Sequence, residues 1–288
     1  MENRFLVPVF TPINDDESIN YDALQKHVES VIKQGADGIY AGGSSAECWM
    51  LTTEQRKKTL EAVIEAANGA FVIAQIGDVG LGLALDLARH AEKAGADMIS
   101  SVPPFYYGFT FNDCKSYFHA LANATSLSMM IYNIPGCTGK LFSADQLTEL
   151  MADPKIPCMK FTDTDYFCLE RLKEKSGKFL YSGSDERFIS ALAAGADGAI
   201  GTTFNFQVGK YLDIWTKFKA GDTEGALKVQ KSANRVTEAV IQNGTIAASK
   251  FVTSLKGIPM GNAFKPFAEL NQDQKKLLTK IAEEEGII

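Results

Sequence analysis

A closed (β/α)8 barrel of the TIM type, carrying additional C-terminal helices, is the fold predicted by this 288-residue sequence. Three observations lead there. Short β-rich runs alternate with longer segments of helical period, and strands separated by helices pair in parallel. The runs number eight, the count that closes such a barrel. The tripeptide Gly-Ala-Asp recurs at Gly35, Gly95 and Gly195, each time between a helical segment and a strand. Glycine there suits the left-handed residue that ends a helix. A doubly wound open sheet shares the alternation, but it needs a strand order that periodicity does not reveal.

The strands follow in chain order. FLVPVFTPI holds the first and is followed by the helical pattern YDALQKHVESVIKQG. GIYAGG, FVIAQIG and DMISSVPP hold the next three, the last of them followed by FNDCKSYFHALANAT. SMMIYNIP, PCMKFTD, KFLYSG and GAIGTT complete the set. Residues 1–221 are thereby expected to form the barrel. Residues 222–288, starting with DTEGALKVQKSANRVTEAVIQNG, read as a helical extension packed on it, with no linker to set it apart from a single unit.

Composition excludes several classes of function. Hydrophobic residues at 45% and charged residues at 22% are ordinary for a chain that folds throughout. The net charge of -6, with its Lys and Arg scattered, offers no basic stripe to nucleic acid or to an anionic membrane. No apolar run follows a basic flank at the start, and none reaches a membrane-spanning length, so a cytoplasmic protein is expected. The five cysteines are odd in number and lack paired spacing, which points to reduced thiols. His27, His90 and His119 all lie in helical patterns away from strand ends, so no metal site is expected. GLGLA has too few glycines in register for a dinucleotide fingerprint, and no cofactor is expected.

Chemistry in such a barrel belongs at the C-terminal strand ends. In CMKFTD the two-residue period puts Cys158, Lys160 and Thr162 on one side and Met159 and Phe161 on the other. The bulkier apolar pair suits the surrounding helices, which turns Lys160 toward the barrel interior. Desolvation disfavours an ammonium there, and a neutral amine can attack a carbonyl to form a Schiff base. The competing reading is a lysine that snorkels to the mouth and pairs with a carboxylate. Tyr132, ending the fifth strand in YNIPGCTG, carries a phenol able to relay protons, although most buried tyrosines only fill space. AGGSSAE sets Ser44 and Ser45 beside two glycines, either as an ordinary turn or as a cradle of N–H groups and hydroxyls for a carboxylate. Asp185 and Glu186 end the seventh strand. They would repel a phosphate and accept hydrogen bonds from sugar hydroxyls, or Asp185 would simply cap the helix in DERFISALAAG.

Taken in order, GGSSAE, YNIPGCTG, the strand lysine of KFTD and GADGAIGTTFN resemble the N-acetylneuraminate lyase and dihydrodipicolinate synthase superfamily of lysine-dependent class I aldolases, over nearly the whole chain. PPFYYGFTF and YSGSDERFISALAAGADGAIGTTFN are more similar to the lyase branch. Cys137 stands where the synthase branch carries a carboxylate-binding arginine. The resemblance implies cleavage of a non-phosphorylated 2-keto sugar acid to pyruvate and an aldehyde, with N-acetylneuraminate giving N-acetylmannosamine. It implies Lys160 as the Schiff-base lysine. Tyr132 would be the proton relay, acting with Ser44 and with Tyr106 of a neighbouring subunit, Tyr107 being one step away. Ser44 and Ser45 would hold the carboxylate, with Thr162, Gly183, Asp185, Glu186 and Thr202 on the polyhydroxy tail, in a homotetramer. The alternatives are another pyruvate-dependent aldolase, a 4-hydroxy-tetrahydrodipicolinate synthase, or a non-catalytic sugar-acid binding protein. Four departures bear on specificity: Ala46 for a loop glycine, Cys137 for an apolar residue, and Ser184 and Phe204 for tyrosines.

Overall fold

The computed structural model describes residues 5–288. Eight strands run in chain order around a closed barrel: β1 Phe5–Val7, β2 Gly38–Ala41, β3 Phe71–Gln75, β4 Met98–Ser101, β5 Ser128–Asn133, β6 Cys158–Phe161, β7 Phe179–Ser182 and β8 Gly198–Ile200. The recorded neighbour pairs are parallel, as the βαβ alternation requires, and the closed order excludes an open doubly wound sheet. The first strand is shorter than its apolar run. It stops before Pro8, which has no N–H to pair, and Ile13 instead forms a single antiparallel bridge with Ile19.

Twelve α-helices lie among the described residues. The first eight are α1 Tyr21–Lys33, α2 Thr53–Ala67, α3 Leu81–Ala94, α4 Phe111–Ala122, α5 Pro135–Thr138, α6 Ala144–Leu150, α7 Tyr166–Ser176 and α8 Phe188–Ala193. The last four are α9 Phe204–Lys219, α10 Thr223–Gln242, α11 Thr245–Ser254 and α12 Gln272–Glu284. Their starts are chemically marked. Thr52, Thr110, Ser143 and Asn271 each close a capping box with the residue three positions on.

The chain divides into two compact units, one spanning Phe71–Ile200 and the other combining Phe5–Ala70 with Gly201–Ile288. In the second, α10, α11 and α12 bury a common cluster of Val236, Val240, Ala248, Val252 and Leu278 against Phe206 of α9.

The Gly-Ala-Asp repeat does two jobs. Gly35, Gly95 and Gly195 have φ of 99°, 95° and 98°, the left-handed conformation expected of them. The aspartates add something the pattern did not reveal. Asp97 donates its N–H to the Val72 carbonyl at 3.0 Å, and its carboxylate accepts the Val72 N–H at 2.7 Å. Asp37 repeats both bonds with Phe5, and Asp197 repeats both with Leu180. A carboxylate so placed satisfies a backbone N–H within the first two residues of its strand. Asp97→Ala leaves the Val72 N–H unsatisfied beside a buried side chain and is expected to cost about 1–3 kcal/mol in urea unfolding.

Candidate active site

Lys160 lies on β6, with its side chain 5% exposed. Its direction follows from its neighbours. Cys158, on the same face, reaches Met98 of β4, with the sulfurs 3.7 Å apart. β4 and β6 are separated by β5 in the barrel order, so side chains that meet between them do so across the interior. Lys160 therefore points inward, as the period-two pattern predicts. Its cross-strand partners in register are Tyr132 on β5 and Tyr181 on β7, forming a row of three. The Lys160 Nζ lies 4.2 Å from the centre of the Tyr132 ring. Both tyrosines are buried, and Tyr181, the first residue of the YSGSDE stretch, joins this row although it was not among the expected site residues.

Thr162 continues β6, its N–H donating to the Asn133 carbonyl at 2.8 Å, while its Oγ1 is buried with no hydrogen-bond partner. Gly183 extends β7 in the same way, its N–H donating to the Phe161 carbonyl at 2.8 Å. No side chain fits at this position. A Cβ on Gly183 would stand 1.8 Å from Thr162 Oγ1 and 3.0 Å from Lys160 Cε.

Asp185 and Glu186 occupy a single 3-10 turn, Asp185–Arg187, after β7. The 3-10 turn begins at Asp185, and α8 starts three residues later at Phe188 with Arg187 in its N-cap position. Asp185 is 7% exposed, and Glu186 forms a partly exposed ion pair with Arg187 at 3.3 Å.

Tyr106 is 85% exposed and has a left-handed φ of 75°, with Tyr107 packed edge-on at 5.0 Å between ring centres. Lys140 anchors this loop by donating to the carbonyls of Tyr107 and Phe109.

In the other compact unit, the chain leaving β2 forms a 3-10 turn over Ser44–Ala46. Ser44 is exposed, and Ser45 is buried with its hydroxyl 2.8 Å from that of Thr202, beyond β8. Thr202 is itself braced. Asn205 Nδ2 donates to the Thr202 carbonyl at 2.8 Å and to the Pro8 carbonyl at 3.0 Å. With its amide so committed, Asn205 presents Oδ1 to His27 Nε2 at 2.6 Å, which makes His27 Nε2 the donor.

His27 Nδ1 is buried without a hydrogen-bond partner, and burial pushes this imidazole down to about 4 from 6.5. A proton therefore binds the unfolded chain first. Stability is full above pH 6.5 and is lost as pH falls toward 4, by about 3 kcal/mol for this group. Urea midpoints measured from pH 7 to pH 4 should show that loss, and His27→Gln should flatten its share of the slope.

Among the described residues, no three His, Cys, Asp or Glu side chains converge as metal ligands. All five cysteines are free thiols, and among the described residues no helix is long and apolar enough to cross a membrane.

The chain matches the dihydrodipicolinate synthetase family over residues 1–285. It belongs to that family. Its relatives include an N-acetylneuraminate lyase of Fusobacterium nucleatum, 35% identical over 269 residues that cover 92% of this chain and 93% of the relative. CdNal from Clostridium difficile, crystallised in complex with mannosamine, superposes with a TM-score of 0.96 at 31% identity over 98% of both chains. The Fusobacterium nucleatum lyase complexed with pyruvate superposes with a TM-score of 0.92 at 32% identity, over 98% of this chain and 97% of that one.

The departures from the family pattern sort by location. Ala46 is not among the described residues with positive φ; the left-handed conformation falls on Glu47, with φ 54°. Glycine's freedom is therefore not needed at Ala46. Phe204 is fully buried, stacked on Phe5 and packed against Tyr211 at 4.3 Å between ring centres, so it serves packing. Ser184 exchanges two hydrogen bonds with Ser182. Cys137 is exposed in α5.

Sequence reasoning passed over Glu47 and Lys250, a fully buried ion pair at 2.9 Å. One signal was present, a lone charge among the small and apolar residues of TIAASKFVTS.

Proposed function

We propose that this protein is a lysine-dependent class I aldolase that cleaves N-acetylneuraminate to pyruvate and N-acetylmannosamine. The observation that carries it is Lys160, dry on the inner face of β6 with its Nζ over the Tyr132 ring, in a chain similar to N-acetylneuraminate lyases throughout its length. The Lys160 amine adds to the ketone carbon of the 2-keto acid and water leaves, forming an iminium that acts as an electron sink. Tyr132 takes the proton of the C4 hydroxyl as the C3–C4 bond breaks, releasing the aldehyde and leaving an enamine. Protonation at C3 and hydrolysis then free pyruvate and restore the amine.

Ser44 and Ser45 hold the substrate carboxylate, and Ser44 with Tyr106 of a neighbouring subunit completes the proton relay. Thr162 Oγ1, buried without a partner, has its hydrogen-bonding capacity available for the polyhydroxy tail, alongside Gly183, Asp185, Glu186 and Thr202. Carboxylates at the β7 end favour a neutral polyol over a phosphate ester. Cys137 gives a substrate carboxylate no cationic partner, which disfavours the synthase activity, and the ordinary backbone at Ala46 removes the main reason to suppose a binding-only protein.

A homotetramer belongs to the same proposal, supported by the exposed Tyr106–Tyr107 pair, and so does a cytoplasmic location, supported by the free thiols. Incubation with N-acetylneuraminate, with pyruvate release coupled to lactate dehydrogenase, is expected to give turnover; other keto sugar acids serve as comparison. Light scattering that returned a monomer would remove Tyr106 from the relay.

A further inference from the structure

Glu47 and Lys250 lie 203 positions apart, yet their side chains are 1% and 0% exposed and joined at 2.9 Å. The second Glu47 oxygen accepts the Phe264 N–H at 2.6 Å, and Lys250 Nζ sits 5.6 Å from the Phe264 ring centre. Glu47 is also the residue that closes the Ser44–Ala46 turn, its N–H donating to the Ser44 carbonyl at 3.0 Å. It does so in a left-handed conformation that a non-glycine residue adopts only when its surroundings hold it there.

The surroundings that hold it come from the C-terminal segment. That segment is fixed in its own right: the Met260 carbonyl accepts the Ile13 N–H at 3.0 Å, and Glu17 Oε1 accepts the Lys265 N–H at 3.1 Å. From the other side, Thr11 Oγ1 donates to the Ala46 carbonyl at 2.8 Å. A buried ion pair contributes little net stability compared with packed apolar side chains, whereas its directed bonds do fix geometry.

We propose that Glu47 and Lys250 are positioning residues that set the direction of the Ser44 and Ser45 hydroxyls and N–H groups, so that the C-terminal helices govern affinity for the carboxylate of the 2-keto acid. This rests on the assignment of Ser44 and Ser45 as the carboxylate holders. The pair touches no reacting atom. It acts through the turn.

The test is borohydride trapping of the Lys160 imine, read by mass spectrometry, with pyruvate and with hydroxyacetone, a ketone that lacks the carboxylate. The Glu47→Gln/Lys250→Met double variant removes both charges at similar volume, so neither is left buried alone. It is expected to remain folded by circular dichroism and to need at least ~10-fold more pyruvate for half-maximal trapping. Its maximal trapping, and its response to hydroxyacetone, should match the wild type. Lys250→Arg, which keeps the charge beside Glu47, should retain most of the wild-type pyruvate affinity. An unchanged pyruvate dependence in the double variant would overturn the inference, as would an equal shift for both ketones or loss of fold. Wild-type protein that traps no pyruvate would instead overturn the aldolase assignment, and this inference with it.

Discussion

Lys160→Met is expected to lower the rate of pyruvate release from N-acetylneuraminate by at least about 10⁴-fold, because the variant keeps the volume of the side chain and loses the only atom that can bond to the ketone. Borohydride with pyruvate should add a stable mass to the Lys160 peptide of the wild type and none to the variant. Lys160→Arg sharpens the comparison. A guanidinium restores positive charge over the Tyr132 ring but stays protonated and does not act as a nucleophile, so it should be as inactive as methionine. Equal activity in wild type and both variants would remove the imine from the mechanism. Recovery by arginine alone would show that Lys160 contributes charge and not a bond.

Gly183→Ala should have the next largest effect, on both activity and stability. The added methyl meets Thr162 Oγ1 at 1.8 Å and Lys160 Cε at 3.0 Å, and the Gly183 backbone is held by its bond to the Phe161 carbonyl. Something must move. If Thr162 yields, its unpartnered hydroxyl leaves its place, and if Lys160 yields, the amine is displaced from the Tyr132 ring. Overpacking of this kind costs about 1–3 kcal/mol, and an ångström of misplacement at the nucleophile costs up to about 10²-fold in rate. Thermal unfolding and steady-state kinetics measure the two separately. The double variant with Thr162→Ala removes the closest contact and should recover part of the stability. Wild-type kinetics and midpoint in Gly183→Ala would show that this corner of the site has more room than the distances allow.

Much of the site was legible because it depends on short-range periodicity. Eight alternations of a two-residue and a 3.6-residue pattern match the count of a closed barrel, and the inward face of Lys160 follows from counting along CMKFTD. Tyr132 could be placed beside it only as a motif. That Tyr132, Lys160 and Tyr181 stand in one row is a matter of strand register, which depends on the whole barrel closing. Asp185 shows where a helix boundary is hard to read. A carboxylate before an apolar helical pattern has the composition of an N-cap, and here a 3-10 turn over Asp185–Arg187 precedes the first residue of α8.

From the order of its residues alone, this chain specifies alternating strands and helices and an inward lysine, since both are set by side-chain period along a few neighbouring positions. Which residue bears the left-handed turn after β2, and which cation neutralises Glu47, were settled only when positions about two hundred apart came into contact. Buried charges must find partners, and the nearest partner in space leaves no trace in local spacing.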